Sequence, residues 1–301
     1  MISFKVIEEN NAYEIFDSIC SGMGEDEISL GREILDSLVY DGDAEFAVSV
    51  SSGCLLIRIC DMGRYGFLFP FELTEDVDVR RAVLDISEYA MREEIECAVY
   101  GVPSEELGAF SDFRHTETLE ETDSDTYTVV IKNECMLIEE IPELIGERVK
   151  LNEILPSDVS DYAKLSKDEN VNKYWGYRYT EDCESPSDEW FYENMRSEFS
   201  RGVSVSFAVR LGDRFIGEVI LYAFDGRGNA EIAVRLLPKF CGKGYARESL
   251  SLALTFARNI DLNEIRAVVN NENIPSIRLF SRLADRSEEE DCKIIYKIYL
   301  E

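Results

Sequence analysis

Two glycines, two residues apart, lie in a segment whose residue types suit the binding of an anion. After an apolar stretch that ends at Leu237, the chain turns at Gly242 and Gly244 and then begins an amphipathic pattern. Glycine lacks the β-carbon that would keep an anion away from backbone N–H groups, and the amino end of a helix attracts negative charge. Cationic side chains lie close by in the sequence, at Lys239, Lys243 and Arg247. The spacing predicts a phosphate-binding turn, with an ordinary tight turn as the alternative.

The segments around this turn predict a sheet covered by helices. Runs of apolar residues typical of strands occur at 148–151, 204–210, 215–223, 230–236, 265–269 and 293–300. Helices are predicted at 187–199, at 275–284 and at 158–166, where Asp158 is the expected cap. Directly after the glycine turn, Ala246, Leu250 and Ala253 fall on one helical face. We therefore expect this helix to pack on the sheet.

The first half of the chain shows a similar mixture of elements. Helical patterns occur at 11–21, 25–38 and 79–90, strand patterns at 46–50, 55–59, 65–71, 97–102 and 127–131, and a short helical pattern at 104–110. The first three strands are expected to be antiparallel, and the acidic segment 116–125 is expected to be a solvated loop. The pattern breaks around Gly146, which predicts two domains, 1–146 and 147–301. The predicted fold class is α/β (α+β).

The composition restricts the possible partners. The 301 residues include 31 basic and 61 acidic side chains, a formal charge of −30, which disfavours nucleic acid and anionic membranes as partners. An acidic surface attracts a cationic acceptor, such as a polyamine or a free amino terminus, although solubility is the simpler explanation. No signal peptide or long apolar run is apparent, so a soluble, cytoplasmic protein is expected. The oligomeric state stays open.

The cysteine and histidine content argues against a metal site. Eight cysteines are scattered without ligand-like spacing, which predicts reduced, buried thiols. The one histidine, His115, lies in a polar stretch and is expected to be a solvated loop residue. Neither a metal centre nor a serine–histidine–aspartate triad is therefore predicted.

Three segments of the second half resemble the GNAT N-acetyltransferase family, and within it the ribosomal-protein N-terminal acetyltransferases. They are the strand segment 230–234, the glycine turn 242–248, and the segment 269–276 with its Asn-x-x-Ser pattern. Their order matches the family across roughly residues 148–300. The resemblance implies acetyl-coenzyme A as co-substrate, no metal, and a mixed, mostly antiparallel sheet flanked by helices.

The resemblance assigns cofactor-binding roles to specific residues. The backbone of Leu236 and Leu237 would bind the pantetheine arm like an added strand, and Asn273 would anchor the arm near the thioester. A simple helix cap is the alternative for Asn273. The backbone N–H groups that would hold the pyrophosphate belong to Cys241, Gly242, Lys243, Gly244, Tyr245 and Ala246.

Two residues are candidates for proton transfer. The resemblance and the position of Glu231 on the central strand suggest that its carboxylate takes a proton from the attacking amine, although an exposed strand carboxylate is the alternative. Ser276 matches the serine assigned to protonation of the leaving thiolate, with helix capping as its alternative.

The chain also departs from the family pattern. Many relatives have arginine or glutamine at Cys241, and many have a tyrosine as general acid at Phe280. Cys241 as a nucleophile is a further alternative, because a thiol at a helix amino end has a lowered pKa. The aromatic residues within 174–179 and 190–192 would line the acceptor pocket or pack in the core.

The first half weakly resembles another lobe of the acyltransferase superfamily, without a glycine turn. The resemblance thus implies two tandem GNAT-like domains, of which the first is degenerate. The predicted activity is direct acetyl transfer from acetyl-coenzyme A to the primary amine of a small molecule or peptide. The alternative is a non-catalytic coenzyme A-binding or interaction module. A tRNA-dependent aminoacyl transferase is disfavoured by the acidic charge.

Overall fold

A computed structural model describes residues 4–7, 44–49, 54–59, 65–70, 97–120, 126–175, 179–181 and 183–300. The chain forms two compact units, Met1–Lys132 and Asn133–Glu301. The domain boundary near Gly146 stays a prediction. In the structure, the short strand just before it already belongs to the sheet of the second unit.

The first unit contains one sheet of seven strands among the described residues. These strands are β1 (Phe4–Ile7), β2 (Ala44–Ser49), β3 (Cys54–Ile59), β4 (Tyr65–Pro70), β5 (Cys97–Pro103), β6 (His115–Glu120) and β7 (Thr126–Lys132). Their order is β1-β2-β3-β4-β5-β7-β6. Strands β4 and β5 are parallel, and the other neighbours are antiparallel. A 3-10 helix, Ser104–Phe110, follows β5.

The strand predictions for the first unit are confirmed, and one loop prediction is wrong. Strands β2, β3 and β4 are antiparallel neighbours, as expected. The predicted loop begins as strand β6, with His115 as its first residue and the rest of the strand exposed. An edge strand pairs through its backbone, so polar side chains do not prevent it from forming. The predicted helices 11–21, 25–38 and 79–90 lie outside the described residues.

The second unit contains a sheet of eight strands and five α-helices among its described residues. The strands are β8 (Leu144–Ile145), β9 (Lys150–Glu153), β10 (Val205–Leu211), β11 (Arg214–Tyr222), β12 (Asn229–Leu236), β13 (Glu264–Asn270), β14 (Arg286–Glu290) and β15 (Lys293–Tyr299). The helices are α1 (Val159–Lys167), α2 (Glu169–Asn172), α3 (Asp188–Ser200), α4 (Tyr245–Asn259) and α5 (Ile274–Phe280). The strand order is β14-β15-β13-β12-β11-β10-β9-β8.

Helices cover both faces of this sheet. Helices α4 and α5 bury the larger apolar core, in which Leu250, Ala253 and Ala257 lie on the buried face of α4 as the spacing predicts. The rings of Phe207 and Phe256 meet edge to face there, with centroids 5.1 Å apart. Helices α1 and α3 bury a smaller cluster on the opposite face. The mixed sheet flanked by helices confirms the fold class expected for this half.

Two strands of the second unit were not predicted, and one helix is shorter than expected. Strand β8 has two residues, and β14 is exposed throughout its length. Neither strand therefore shows the alternating apolar pattern that identifies a half-buried strand. Helix α5 ends at Phe280 rather than near residue 284.

Asp158 lies at the predicted capping position, but its carboxylate makes no capping hydrogen bond to α1. It accepts instead from the N–H of Leu155 and from Nη1 of Arg210, at 2.8 and 3.0 Å. Both charged residues are buried, and Arg210 Nε donates to Asn152 Oδ1 at 2.7 Å. A buried guanidinium requires a compensating charge, so the ion pair uses the carboxylate that would otherwise cap the helix.

Candidate cofactor and active site

The central parallel pair of strands separates after three residue pairs. Strands β12 and β13 pair from Asn229 with Glu264 to Glu231 with Arg266. Beyond Glu231, β12 continues to Leu236 and pairs only with β11 on its other edge. The edge of β12 that faces β13 therefore has backbone groups to which an extended ligand could add like a strand.

The glycine turn follows β12 and leads directly into α4. Gly242 and Gly244 have φ angles of +72° and +85°, which other residues adopt only with strain, and Gly244 is the N-cap residue of α4. A β-carbon on Gly242 would meet nothing within 4 Å. Gly244 supplies no capping side chain, and among the described residues no acceptor faces the backbone N–H groups of residues 242–247. This loop can therefore hold an anion.

The cations near the loop are arranged around the buried ring of Phe240. Nζ of Lys239 and of Lys243 lie 5.1 and 5.7 Å from its centroid, and Lys243 Nζ also donates to the carbonyl of Lys239 at 2.7 Å. Arg214 approaches the same ring at 5.3 Å. This arrangement concentrates positive charge beside the loop in a chain that is otherwise strongly acidic.

Cys241 is exposed, and its thiol lies 3.7 and 3.8 Å from the carbonyl oxygens of Leu236 and Leu237. Burial and the negative charge of Asp168 raise the pKa of this thiol. The direction of this shift is opposite to the lowered pKa expected for a thiol at a helix amino end. A neutral thiol is a poor nucleophile, which removes the argument for covalent catalysis at this position.

The opening between β12 and β13 is bounded on its other side by the residues that follow β13. Asn273 is the N-cap residue of α5, and its Oδ1 accepts from the N–H of Ser276 at 3.3 Å. Both residues are half-buried. Asn273 therefore does cap the helix, and its role toward a cofactor stays a prediction.

Glu231 lies at the last paired position before the two strands separate, opposite Tyr222 on β11 and Arg266 on β13. Burial raises the pKa of Tyr222 well above its ordinary value, and the charge and hydrogen bond of Glu231 raise it further. Tyr222 therefore stays protonated at neutral pH and presents a phenol to the carboxylate. Glu231 is half-buried rather than a fully solvated strand residue.

The sequence of residues 148–284 matches the family model of the GNAT acetyltransferase domain. The second unit carries a GNAT acetyltransferase domain. The chain is 29% identical over 147 residues to the N-acetyltransferase p20 of Bacillus licheniformis, covering 48% of this chain and 83% of that protein. It is 32% identical over 77 residues to the N-acetyltransferase YnaD of Bacillus subtilis, covering 25% of this chain and 45% of YnaD. A GNAT-family acetyltransferase structure from Bacillus anthracis has a TM-score of 0.45 and 21% identity, covering 52% of this chain and 98% of that one.

A buried polar network joins the central strand of the acetyltransferase domain to the helices in front of it. Arg235 on β12 donates to Glu218 Oε2 at 2.7 Å and to Asn172 Oδ1 at 2.7 Å, and its guanidinium lies 4.3 Å from the ring centroid of Trp175. The hydroxyl of Tyr162 donates to the other oxygen of Glu218 at 3.1 Å. Arg235 lies on the same strand face as Glu231, four residues further along.

The pKa values of two groups in this network, Arg235 and Tyr162, are shifted upward. Burial lowers the pKa of Arg235, but the charges and hydrogen bonds of Glu218 and Tyr162 together raise it more, so the net shift is upward. Burial and Glu218 raise the pKa of Tyr162. Neither Arg235 nor Glu218 was predicted from the sequence as a site residue. The available signal was a charged residue in the interior of each of two largely apolar strands, Glu218 in β11 and Arg235 in β12.

The aromatic residues of the acetyltransferase domain divide between core and surface. Phe191 is buried and makes edge-to-face contacts with Tyr179 and Trp190, each with centroids 5.1 Å apart, so packing accounts for this group. Trp175 instead stacks on Arg235, and the hydroxyl of Tyr174 lies 3.5 Å from Glu272, beyond the end of β13. Residues 176–178 lie outside the described part.

No group of three potential metal ligands occurs among the described residues. In the same part of the chain, no helix is long and apolar enough to cross a membrane. Cys135, Cys183, Cys241 and Cys292 are free thiols, and only Cys135 of these four is buried. The expectation of buried thiols is therefore wrong for Cys241 and Cys292, which lie in exposed turns.

Proposed function

We propose that the second unit transfers an acetyl group from acetyl-coenzyme A to a primary amine by direct attack of the amine on the thioester. The observation that carries this proposal is the juxtaposition of two features at β12. The strand separates from β13 after Glu231, and the N–H groups of residues 242–247, in the loop and first turn beyond it, have no acceptor among the described residues. A long ligand with a phosphate at one end and an extended arm fits both features.

The residues fit such a cofactor. The N–H groups of residues 242–246 would hold the diphosphate, and the backbone of Leu236 and Leu237 would hydrogen-bond the arm. The N–H of Cys241, which the sequence also assigned to the diphosphate, donates instead to the carbonyl of Pro238 at 3.2 Å. The carbonyl of Leu237 already accepts the N–H of Phe240 at 2.9 Å, and the arm would replace its weak second contact, with the Cys241 thiol at 3.8 Å. Asn273 would contact the arm from the opposite side of the opening. When bound, acetyl-coenzyme A supplies a thioester carbonyl that an amine can attack.

Glu231 is the proposed general base. A protonated amine must lose a proton before it can attack, and a half-buried carboxylate at the apex of the opening is placed to accept it directly or through a water molecule. The phenol of Tyr222 would hold the carboxylate in place. Ser276, in the first turn of α5, would donate a hydrogen bond to the departing sulfur.

Glu231→Gln tests this assignment, with Glu193→Gln on the exposed side of α3 as the matched control. We expect kcat to fall about 100- to 10,000-fold in Glu231→Gln, the range for loss of a general base. The calorimetric Kd for acetyl-coenzyme A should be unchanged in both variants. Turnover is measured as acetyl-coenzyme A consumed, by chromatography against a panel of amines, because the exposed thiols of the protein would react with a thiol reagent. Full activity in Glu231→Gln contradicts the assignment.

A non-catalytic coenzyme A-binding module is the second candidate, and Phe280 is the observation that favours it. Its ring is buried and stacks on the ring of Tyr296, with centroids 6.2 Å apart. Phenylalanine has no hydroxyl, whereas many relatives have a tyrosine at this position. This candidate predicts calorimetric binding of acetyl-coenzyme A with no consumption in the presence of any amine. Turnover with one amine excludes it.

For the first unit we propose a degenerate GNAT-like lobe without a cofactor loop. Its order β1-β2-β3-β4-β5-β7-β6 repeats the order of β9 to β15 in the second unit, with β4 and β5 in the place of the parallel pair β12 and β13. Residues 71–96, between β4 and β5, contain no glycine, so the anion-binding turn has no counterpart. The test is calorimetry on the whole chain, in which one coenzyme A should bind per chain.

A further inference from the structure

We propose that Arg148 is a positioning residue for the cofactor loop. It orients the peptide between Lys243 and Gly244 and neutralises Glu248, so that the loop can accept a diphosphate. This inference rests on the proposed use of the loop for acetyl-coenzyme A. Neither the glycine turn nor the family resemblance predicted a role for Arg148.

Arg148 precedes β9 and reaches the loop across a sequence separation of 95 residues. Its Nη1 donates to the carbonyl of Lys243 at 3.1 Å, and its Nε donates to Glu248 Oε2 at 2.8 Å. The guanidinium also lies over the ring of Tyr245, 5.2 Å from its centroid. One side chain therefore contacts the loop and two residues of the first turn of α4, Tyr245 and Glu248.

The contact with the Lys243 carbonyl determines where the next N–H points. In a trans peptide the carbonyl and the following N–H point in opposite directions, and the described chain has no cis peptide bonds. Because Arg148 holds the carbonyl, the N–H of Gly244 points to the opposite side of the loop. Gly244 suits this position because its φ is +85°, and a β-carbon there would also lie 3.2 Å from Arg148 Nη2.

The contact of Arg148 with Glu248 reduces the electrostatic repulsion between that carboxylate and an anion bound in the loop. Glu248 Oε1 accepts the backbone N–H groups of Arg148 and Val149, at 2.6 and 3.1 Å. Burial raises the pKa of Glu248, but these hydrogen bonds and the guanidinium lower it more, so the carboxylate is ionised at neutral pH. Without Arg148, a fixed negative charge would remain one turn from the site proposed for an anion. Cys241, the neutral residue where many relatives have arginine or glutamine, does not offset this charge.

The test compares Arg148→Gln and Arg148→Lys with Arg196→Gln. Arg196 is a matched control because it is similarly exposed, 53% against 47%, and is also paired with one glutamate, Glu153. We expect Arg148→Gln to raise the calorimetric Kd for coenzyme A about tenfold, which corresponds to about 1.4 kcal/mol. Arg148→Lys should lie between this variant and wild type, because lysine keeps the charge but not the two-pronged contact. Arg196→Gln should bind like wild type.

Two readouts separate positioning from a general structural defect. In Arg148→Gln, kcat at saturating acetyl-coenzyme A and the KM for the amine should match wild type, while the KM for acetyl-coenzyme A rises. Adding Glu248→Gln to Arg148→Gln should recover part of the affinity, since the uncompensated charge is then gone. Wild-type affinity in Arg148→Gln, or equal losses in kcat and in both KM values, overturns the inference. If the wild-type protein itself does not bind coenzyme A, the proposed function fails instead.

Discussion

Alanine at Gly242 tests whether the open loop binds the cofactor, and Gly212 provides a control with nearly the same geometry. Gly242 and Gly212 have φ angles of +72° and +62°, and a β-carbon on either would meet nothing within 4 Å. Alanine in this left-handed region costs roughly 1–2 kcal/mol at each position. For a unit of this size we expect both variants to lower Tm by about 2–8 °C.

The two variants should differ only in ligand binding. Gly212 lies in the hairpin turn between β10 and β11, whereas Gly242 lies among the N–H groups proposed to hold the diphosphate. A methyl group at Gly242 would stand between the loop and the anion. Loss of one hydrogen bond to a charged group, worth about 1.5–3 kcal/mol, would weaken binding about 10- to 100-fold.

The assay is calorimetry with coenzyme A at a temperature at which both variants are folded, with thermal unfolding measured in parallel. Gly212→Ala should bind like wild type, and Gly242→Ala should bind more weakly at the same Tm. Equal affinities in the two variants would refute the assignment of the loop. A loss of affinity in Gly212→Ala as large as that in Gly242→Ala would show that destabilisation alone explains the effect.

Asp158→Asn should lower the free energy of unfolding by roughly 3–5 kcal/mol in urea titrations, because it leaves the buried charge of Arg210 without a partner. The control Asp161→Asn, which breaks an exposed pair, should cost under about 1 kcal/mol, and similar costs for both would contradict the argument. Asp168→Asn should speed the alkylation of Cys241 by iodoacetamide at pH 8, followed by mass spectrometry of its peptide. Removal of the negative neighbour lowers the thiol pKa and so increases the thiolate fraction, and an unchanged rate would exclude the proposed cause.

The sequence predicted the elements whose signal is local. The apolar face of α4, the glycine turn before it and the strands of the second sheet lie within a few residues of their predicted positions. Strands β6 and β14 escaped prediction because an edge strand with exposed side chains looks like a polar loop. Asp158 was found at its predicted position but in a different role, since no local pattern shows that a buried arginine will need its charge.

The sequence alone predicted the glycine turn that we propose to bind an anion, because glycines at 242 and 244 permit positive φ angles and leave the start of α4 without a capping side chain. The pairings of Arg148 with Glu248 and of Arg235 with Glu218 arise only when the chain folds. Packing of the strands and the helix brings together residues that are 100 and 17 positions apart in the sequence. Water is excluded around Arg235 and Glu218, so each of these two charges is stable only because packing brings the opposite charge to it.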